Sequence, residues 1–152
     1  MATAALFAQG TKLRVNTIAA PLVFTAVAEV TNINPPSPTV AVIDVTSHDS
    51  TGGTPAQQIH ESIPGLVDPG QMTFDFNNLP ANATQDKSAD GLYGLLLSRA
   101  VRDWQVVYPS INLGVQARGY LTSLAFTAPH DGKLGGVGTI KLTGPIIFPT
   151  LP

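Results

Sequence analysis

The chain has 152 residues, only 12% of them charged, and a formal net charge of −2 at pH 7. That length is one ordinary domain, able to bury a core without metals or disulfides. The charge gives no basic footprint for phosphate-dominated nucleic-acid binding, and the lack of cysteine excludes disulfides, thiolate metal sites and cysteine nucleophiles.

Fourteen glycines and thirteen prolines are spread along the whole sequence, which predicts many short strands joined by turns. Residues 1–10 read as an apolar, irregular N-terminal arm. A first strand is expected over 12–16. Residues 24–30 alternate Phe24, Ala26, Ala28 and Val30 against Thr25, Val27 and Glu29, the period of a half-buried strand. Asn34-Pro35-Pro36-Ser37-Pro38 is a breaker, because proline cannot donate to a ladder. Residues 40–46 form a dense β-branched strand.

Residues 47–65 change character: they are polar, carry glycine and lack periodicity. A loop of that length within one domain is either a mobile surface segment or a functional one. Met72, Phe74 and Phe76 then alternate with Thr73, Asp75 and Asn77, predicting a strand over 71–77 with one apolar face. A single helix is expected over 88–103. Ser88 would cap it, Asp90 suits its first turn, and Arg99 and Arg102 suit its C-terminal end. Gly91 and Gly94 each weaken that helix by up to about 1 kcal/mol, so packing on a sheet must hold it. Strands follow over 104–108, 117–128 and 134–143. The last two are expected to form a hairpin with Asp131-Gly132 at its tip. Residues 145–152 are an apolar C-terminal tail. No repeat or linker divides residues 1–152, so one domain is expected.

A charged share about half the usual one leaves a surface of Thr, Ser, Asn, Gln and exposed apolar groups. Such a surface favours burial against partners over a monomeric sandwich. The longest apolar runs, such as 18–24, fall far short of the roughly 20 residues that cross a bilayer. Residues 1–8 lack a basic n-region, so no Sec export is expected.

Catalytic constellations are thin. His48-Asp49-Ser50 has triad residue types, but a working triad gathers them from separate elements. His48, Asp49, His60 and Glu61 match no metal-ligand spacing with a mechanism. The glycine-rich stretch 132–138 has no following helix to hold a phosphate. Asn82-Ala83-Thr84 fits a glycosylation sequon, a pattern common by chance. Nothing in the sequence makes any two of Asp44, Asp68, Asp75, Asp86 and Asp90 converge. No enzyme activity and no cofactor are expected.

Four stretches, in order, carry a resemblance. Gly10-Thr11-Lys12-Leu13 opens the first strand. Val42-Ile43-Asp44-Val45-Thr46-Ser47-His48-Asp49-Ser50 runs from a strand into the polar loop. Ile63-Pro64-Gly65-Leu66-Val67-Asp68-Pro69-Gly70 precedes the Met72-Thr73-Phe74-Asp75-Phe76 strand. Gly119-Tyr120-Leu121-Thr122-Ser123-Leu124 and residues 136–144 close the pattern. Each motif is weak alone; together they cover most of the chain. In this order the sequence resembles the major tail tube proteins of long non-contractile-tailed bacteriophages.

The resemblance implies a mainly β fold, a sandwich or barrel-like pair of sheets with one flanking helix. It implies hexameric rings whose sheets join into a continuous barrel, stacked around a tape-measure protein. Such a tube ends on terminator and distal tail or baseplate proteins, and it conducts genomic DNA from the virion into the host. By the same match 47–65 is the assembly loop, with Ser47, His48, Asp49, Ser50, Gln57, Gln58, Ile59, His60 and Glu61 as subunit-interface residues. The arm 1–10 and the tail 145–152 are further contact candidates. The net negative charge suits a conduit that DNA passes through without specific binding. Asp44 and Asp75, on strands among apolar neighbours, are candidates for facing the lumen, with a solvent-facing edge position as the alternative. Unlike some relatives, the sequence is expected to be the core module alone, without a C-terminal immunoglobulin-like domain. Assembly in the host bacterial cytoplasm and residence in the virion tail follow from the same resemblance.

Two other readings remain. A tail terminator or connector would form rings that do not polymerise. A carbohydrate-binding or adhesive β-sandwich would present exposed aromatics, whereas Trp104, Tyr93 and Tyr108 lie in or beside the expected helix and Tyr120 within a strand.

Overall fold

The structure, a computed structural model, describes residues 5–18, 23–48 and 59–151. Nine strands and one helix make up these residues: β1 (Lys12–Ile18), β2 (Val23–Ala26), β3 (Val30–Asn34), β4 (Thr39–Asp44), β5 (Ser62–Asp68), β6 (Gln71–Asn77), α1 (Leu92–Ser98), β7 (Arg102–Tyr108), β8 (Leu113–Thr127) and β9 (Gly135–Ile147). Seven of the strands build one antiparallel sheet in the order β2-β1-β7-β8-β9-β6-β3; β4 and β5 pair separately as a two-stranded ribbon. The expected mainly β class with a single flanking helix is the observed one.

Ladder registers sort the large sheet into two faces. Leu13 lies opposite Val106, and Val106 opposite Val115. Val15, Trp104, Ala117 and Ile146 form the next row, and Leu121, Ile140 and Met72 another. These side chains all join one apolar cluster, which Leu92 and Leu95 of α1 complete. Trp104 is buried there and its indole N–H donates to the Gly119 carbonyl at 3.2 Å. The opposite face carries Arg14, Gln116, Thr73, Thr139 and Asp75, the alternation of a half-buried sheet, except on β7, where Gln105 and Val107 are buried too.

The glycine-rich stretch has a packing role. Phe74 pairs with Gly138, and Phe76 with Gly136, across β6 and β9. Each ring lies over the glycine opposite, and a Cβ at Gly136 would stand 2.5 Å from Cζ of Phe76. Aromatic cover of strand glycines supplies the packing that those glycines lack.

Several expected boundaries move. The strand expected over 24–30 is two strands, broken by a turn in which Glu29 takes a left-handed φ of 56°. Buried Gln85 pins that turn: its Nε2 donates to Ala28 O at 2.8 Å and Asn77 O at 3.1 Å, and its Oε1 accepts from Leu79 N–H at 2.8 Å. Thr84 Oγ1 accepts from the Ala28 N–H, and Asn82 Oδ1 accepts from Thr84, so the sequon residues close a turn. β3 begins at Val30 and runs on to Asn34, beyond the expected end of the strand over 24–30.

The helix is 92–98, not 88–103. Its N-cap is Gly91, and Ser88 instead donates its N–H to the Asp86 carboxylate. Gly91 and Gly94 admit the 86–88 backbone against the helix: a Cβ at either would overlap it. Arg99, at φ 55°, ends the helix by donating its N–H toward Leu95 O and Leu96 O. Val101, Trp104, Val106 and Val107 then prefer strand geometry, and β7 starts at Arg102. At the C-terminus, β9 runs through Pro145 to Ile147, and the tail stays on β8: Gly114 N–H donates to Pro149 O, and Leu151 N–H to Asn112 O.

Candidate assembly surfaces

Residues 62–65, expected as loop, belong to β5. Two reasons hid that strand. Pro64 and Gly65 read as breakers, and the ribbon has no buried side to impose alternation. Pro64 is tolerated because a two-stranded ribbon leaves one edge free of ladder bonds. Gly65 lets the ribbon close: a Cβ there would come within 3.2 Å of the Ala41 carbonyl.

Both ribbon strands are exposed along nearly their whole length. Val42 is 76% exposed and Leu66 87%. Ile43, Ile63, Val40 and Val67 are exposed as well. A two-stranded ribbon by itself is marginal in water, and six large apolar side chains in solvent form an unpartnered surface.

Beyond the ladder, Val45 N–H donates to Glu61 O and Glu61 N–H to Thr46 Oγ1, both at 2.9 Å. The hydroxyl and N–H of Thr46 hold the Asp44 carboxyl below the usual carboxylate range, and His60 Nδ1, 3.6 Å from Asp44 Oδ2, adds to this. Asp44, His60 and Glu61 are therefore brought together at the far end of the ribbon. Ser47, His48 and Ile59 are exposed beside them. Asp49, Ser50, Gln57 and Gln58 lie outside the described residues.

A clamp fixes the near end of the ribbon. Lys141 Nζ on β9 donates to both carboxylate oxygens of Asp68, at 3.0 and 3.2 Å. Gly70 N–H donates to Asp68 Oδ1 at 2.8 Å. That N–H and Lys141 together hold the Asp68 carboxyl below its usual range. Gly70 itself has φ +78°, and a Cβ there would overlap the Ser37 carbonyl. Thus the two connections to the sheet, 35–38 and 69–70, lie against each other. Nothing in the sequence marks Asp68 and Lys141 as partners, since 73 positions separate them.

Asp75 stands apart from Asp44. It lies on the polar face of the large sheet, between Asn32 and Val137, and Asn32 Nδ2 donates to it at 3.4 Å. Among the described residues no three His, Asp or Glu side chains gather as a metal-ligand set, and no helix is long and apolar enough to cross a membrane. Of the aromatics, Trp104 is core, Tyr108 is half-buried, and Tyr93 and Tyr120 reach solvent.

No family model matches the sequence, and no curated protein matches it. Solved structures do. The tail of an empty gene transfer agent particle, computed with C6 symmetry, has a chain of TM-score 0.74 and 18% identity, with 95% of this chain and 99% of that one covered. The SPP1 tail tube follows at TM-score 0.68 and 11% identity, covering 95% of this chain and 78% of that one. A chain from the sheath/tube terminator of an extracellular contractile injection system, PVC, gives TM-score 0.68 and 8% identity over 98% and 99% of the two chains. The fold of this chain is therefore the tail tube fold.

Proposed function

We propose that this chain is a structural tail tube subunit. Six copies close a ring, their sheets join into a continuous barrel, and rings stack into a tube around a tape-measure protein. Terminator and distal tail or baseplate proteins cap the tube, and DNA passes through it without specific binding. The protein works in the virion tail after assembly in the host bacterial cytoplasm, and it performs no catalysis.

The observation that carries this reading is the β4–β5 ribbon, apolar and unpartnered, on a chain with the tail tube fold. A surface of that kind calls for a heterologous contact, which generates rings or filaments according to its rotation. The ribbon, with the segment of sequence 47–61 that connects its two strands, is the assembly arm, and Asp75 faces the lumen from the polar face of the sheet.

The test is electron microscopy of the purified protein at rising concentration. Long hollow tubes are expected. Single rings that never stack would favour a terminator, the reading supported by the likeness to the PVC sheath/tube terminator chain. A monodisperse monomer at every concentration refutes both.

A further inference from the structure

A row of aromatic rings runs from the core to the surface. Phe74 and Phe76 are buried, with their rings 5.7 Å apart. Gly136 separates Phe76 on β6 from Phe126 on β8, and these two rings meet edge to face at 6.2 Å. Tyr93 of α1 lies 6.3 Å from Phe126 in turn. Tyr93 and Phe126 reach solvent, at 41% and 48% exposure. The helix thus covers this end of β8 but leaves both rings partly open.

The two rings border a groove of about 390 Å³, completed by Asn78, Pro80, Asp86 and Lys87 of the connection between β6 and α1. Its parts are fixed before any ligand arrives. Phe126 rests on Phe76, and buried Gln85 pins the connection through three hydrogen bonds. The hydroxyl and N–H of Ser88 both donate to Asp86. They hold its carboxyl below the usual range, so it stays a hydrogen-bond acceptor at ordinary pH. A groove set in place beforehand spares a ligand the cost of ordering it. Among the described residues the Asn78 side-chain amide, the Lys87 ammonium and the Tyr93 hydroxyl have no hydrogen-bond partner.

These groups define the ligand's chemistry. The electron-rich faces of aromatic rings attract the C–H groups of a sugar ring. The rim offers donors and acceptors together, which hydroxyl groups satisfy in both roles. Asp86 and Lys87 offset one another in charge, which favours a neutral ligand. Proline-rich peptides also enter aromatic grooves, but proline has no N–H to offer Asp86.

We propose that the groove between Tyr93, Phe126 and the 78–87 turn binds a neutral hexopyranose, one unit of a glycan. This goes beyond the assembly reading and does not rest on it. In a tube the groove recurs in every subunit, and weak contacts sum to avidity for a polysaccharide.

Saturation-transfer NMR tests this on the full chain, both as dispersed subunits and under assembly conditions. The probes are the methyl glycosides of glucose, galactose and N-acetylglucosamine, with a proline-rich peptide as the rival ligand. At least one glycoside is expected to bind in both states, in the millimolar range of a small ligand on an open groove. Tyr93→Ala should weaken that binding about fivefold or more, and Asn78→Ala should weaken it as well. Tyr120→Ala, an exposed aromatic at the other end of α1, should leave it unchanged. Thermal melting checks that each variant folds as the parent does. The proposal is overturned if no glycoside receives saturation, if the peptide alone binds, or if Tyr120→Ala weakens binding as much as Tyr93→Ala. Binding seen in dispersed subunits and lost in tubes also overturns it, by showing that a neighbouring copy covers the groove. Glycoside binding by a chain that never forms rings or tubes supports the groove and refutes only the assembly reading.

Discussion

Replacing Val42 and Leu66 together by serine separates folding from assembly. Both side chains lie mostly in solvent in the single subunit, at 76% and 87% exposure. Surface changes of this kind move stability by no more than about 0.5 kcal/mol each. Against a neighbouring copy the same side chains become buried, where each is worth about 1.5–3 kcal/mol. The pair then contributes about 3–6 kcal/mol per ribbon contact, and each 1.4 kcal/mol is a factor of ten. The critical concentration for tube formation should therefore rise about 10²- to 10⁴-fold, while the melting temperature of the subunit stays close to that of the parent. Sedimentation velocity and negative-stain microscopy over a dilution series read the first quantity, and thermal unfolding the second. Tubes appearing at the parent's critical concentration would show that the ribbon's apolar face is not an assembly surface.

Gly136→Val should destabilise the subunit by about 1–3 kcal/mol in urea unfolding, because the new Cβ meets the Phe76 ring and the core must shift. If stability holds, the tight ring-over-glycine packing is wrong. The Asp68 carboxyl is held below its ordinary value of 3.8 in the folded state, so its contribution is complete above that value and is lost as the pH falls through the lower folded one. Amide exchange at Gly70 should accelerate over that acid window, and Asp68→Asn should abolish the pH dependence; a parent and variant with parallel profiles would remove Asp68 from the clamp. Asp75→Lys should leave stability within about 0.5 kcal/mol and leave tubes intact but slow DNA delivery, by adding a cation to the wall. Unchanged delivery would take Asp75 out of the lumen.

The sequence was legible where one side of a strand is buried. Met72, Phe74 and Phe76 declare β6 by alternation, and the glycines opposite them fall within the strand expected over 134–143. It was illegible where no core imposes a period. β5 is exposed on both sides, so its apolar residues follow no pattern, and Pro64-Gly65 pointed to a loop. The helix was overextended because Arg99 leaves it through a left-handed backbone conformation that arginine does not announce. The turn at Glu29 depends on Gln85, 57 positions from Ala28, and so has no local signal. Asp44 and Asp75 looked alike as strand carboxylates, yet one sits on the ribbon and the other on the sheet.

A subunit that joins copies of itself through an arm faces competition from its own docking surface. With a flexible tether, the arm would meet that surface on its own body at an effective concentration in the millimolar range, and closed monomers would outcompete tubes. Flexibility is what the two connections to the ribbon lack. Three prolines between residues 35 and 38 fix the outgoing chain, and Pro69-Gly70 returns it against the Ser37 carbonyl. Lys141 then locks Asp68 at the junction. A short, stiff connection that cannot span to the subunit's own site brings the effective concentration for self-docking toward zero, which leaves a neighbouring copy as the arm's partner. The proline cluster that reads in the sequence as a mere strand breaker is, on this argument, what keeps the arm extended. Gly-Ser replacement of residues 35–38 should shift the protein from tubes toward compact monomers at equal concentration. Tubes of undiminished length from that variant would show that the stiffness of this connection plays no part.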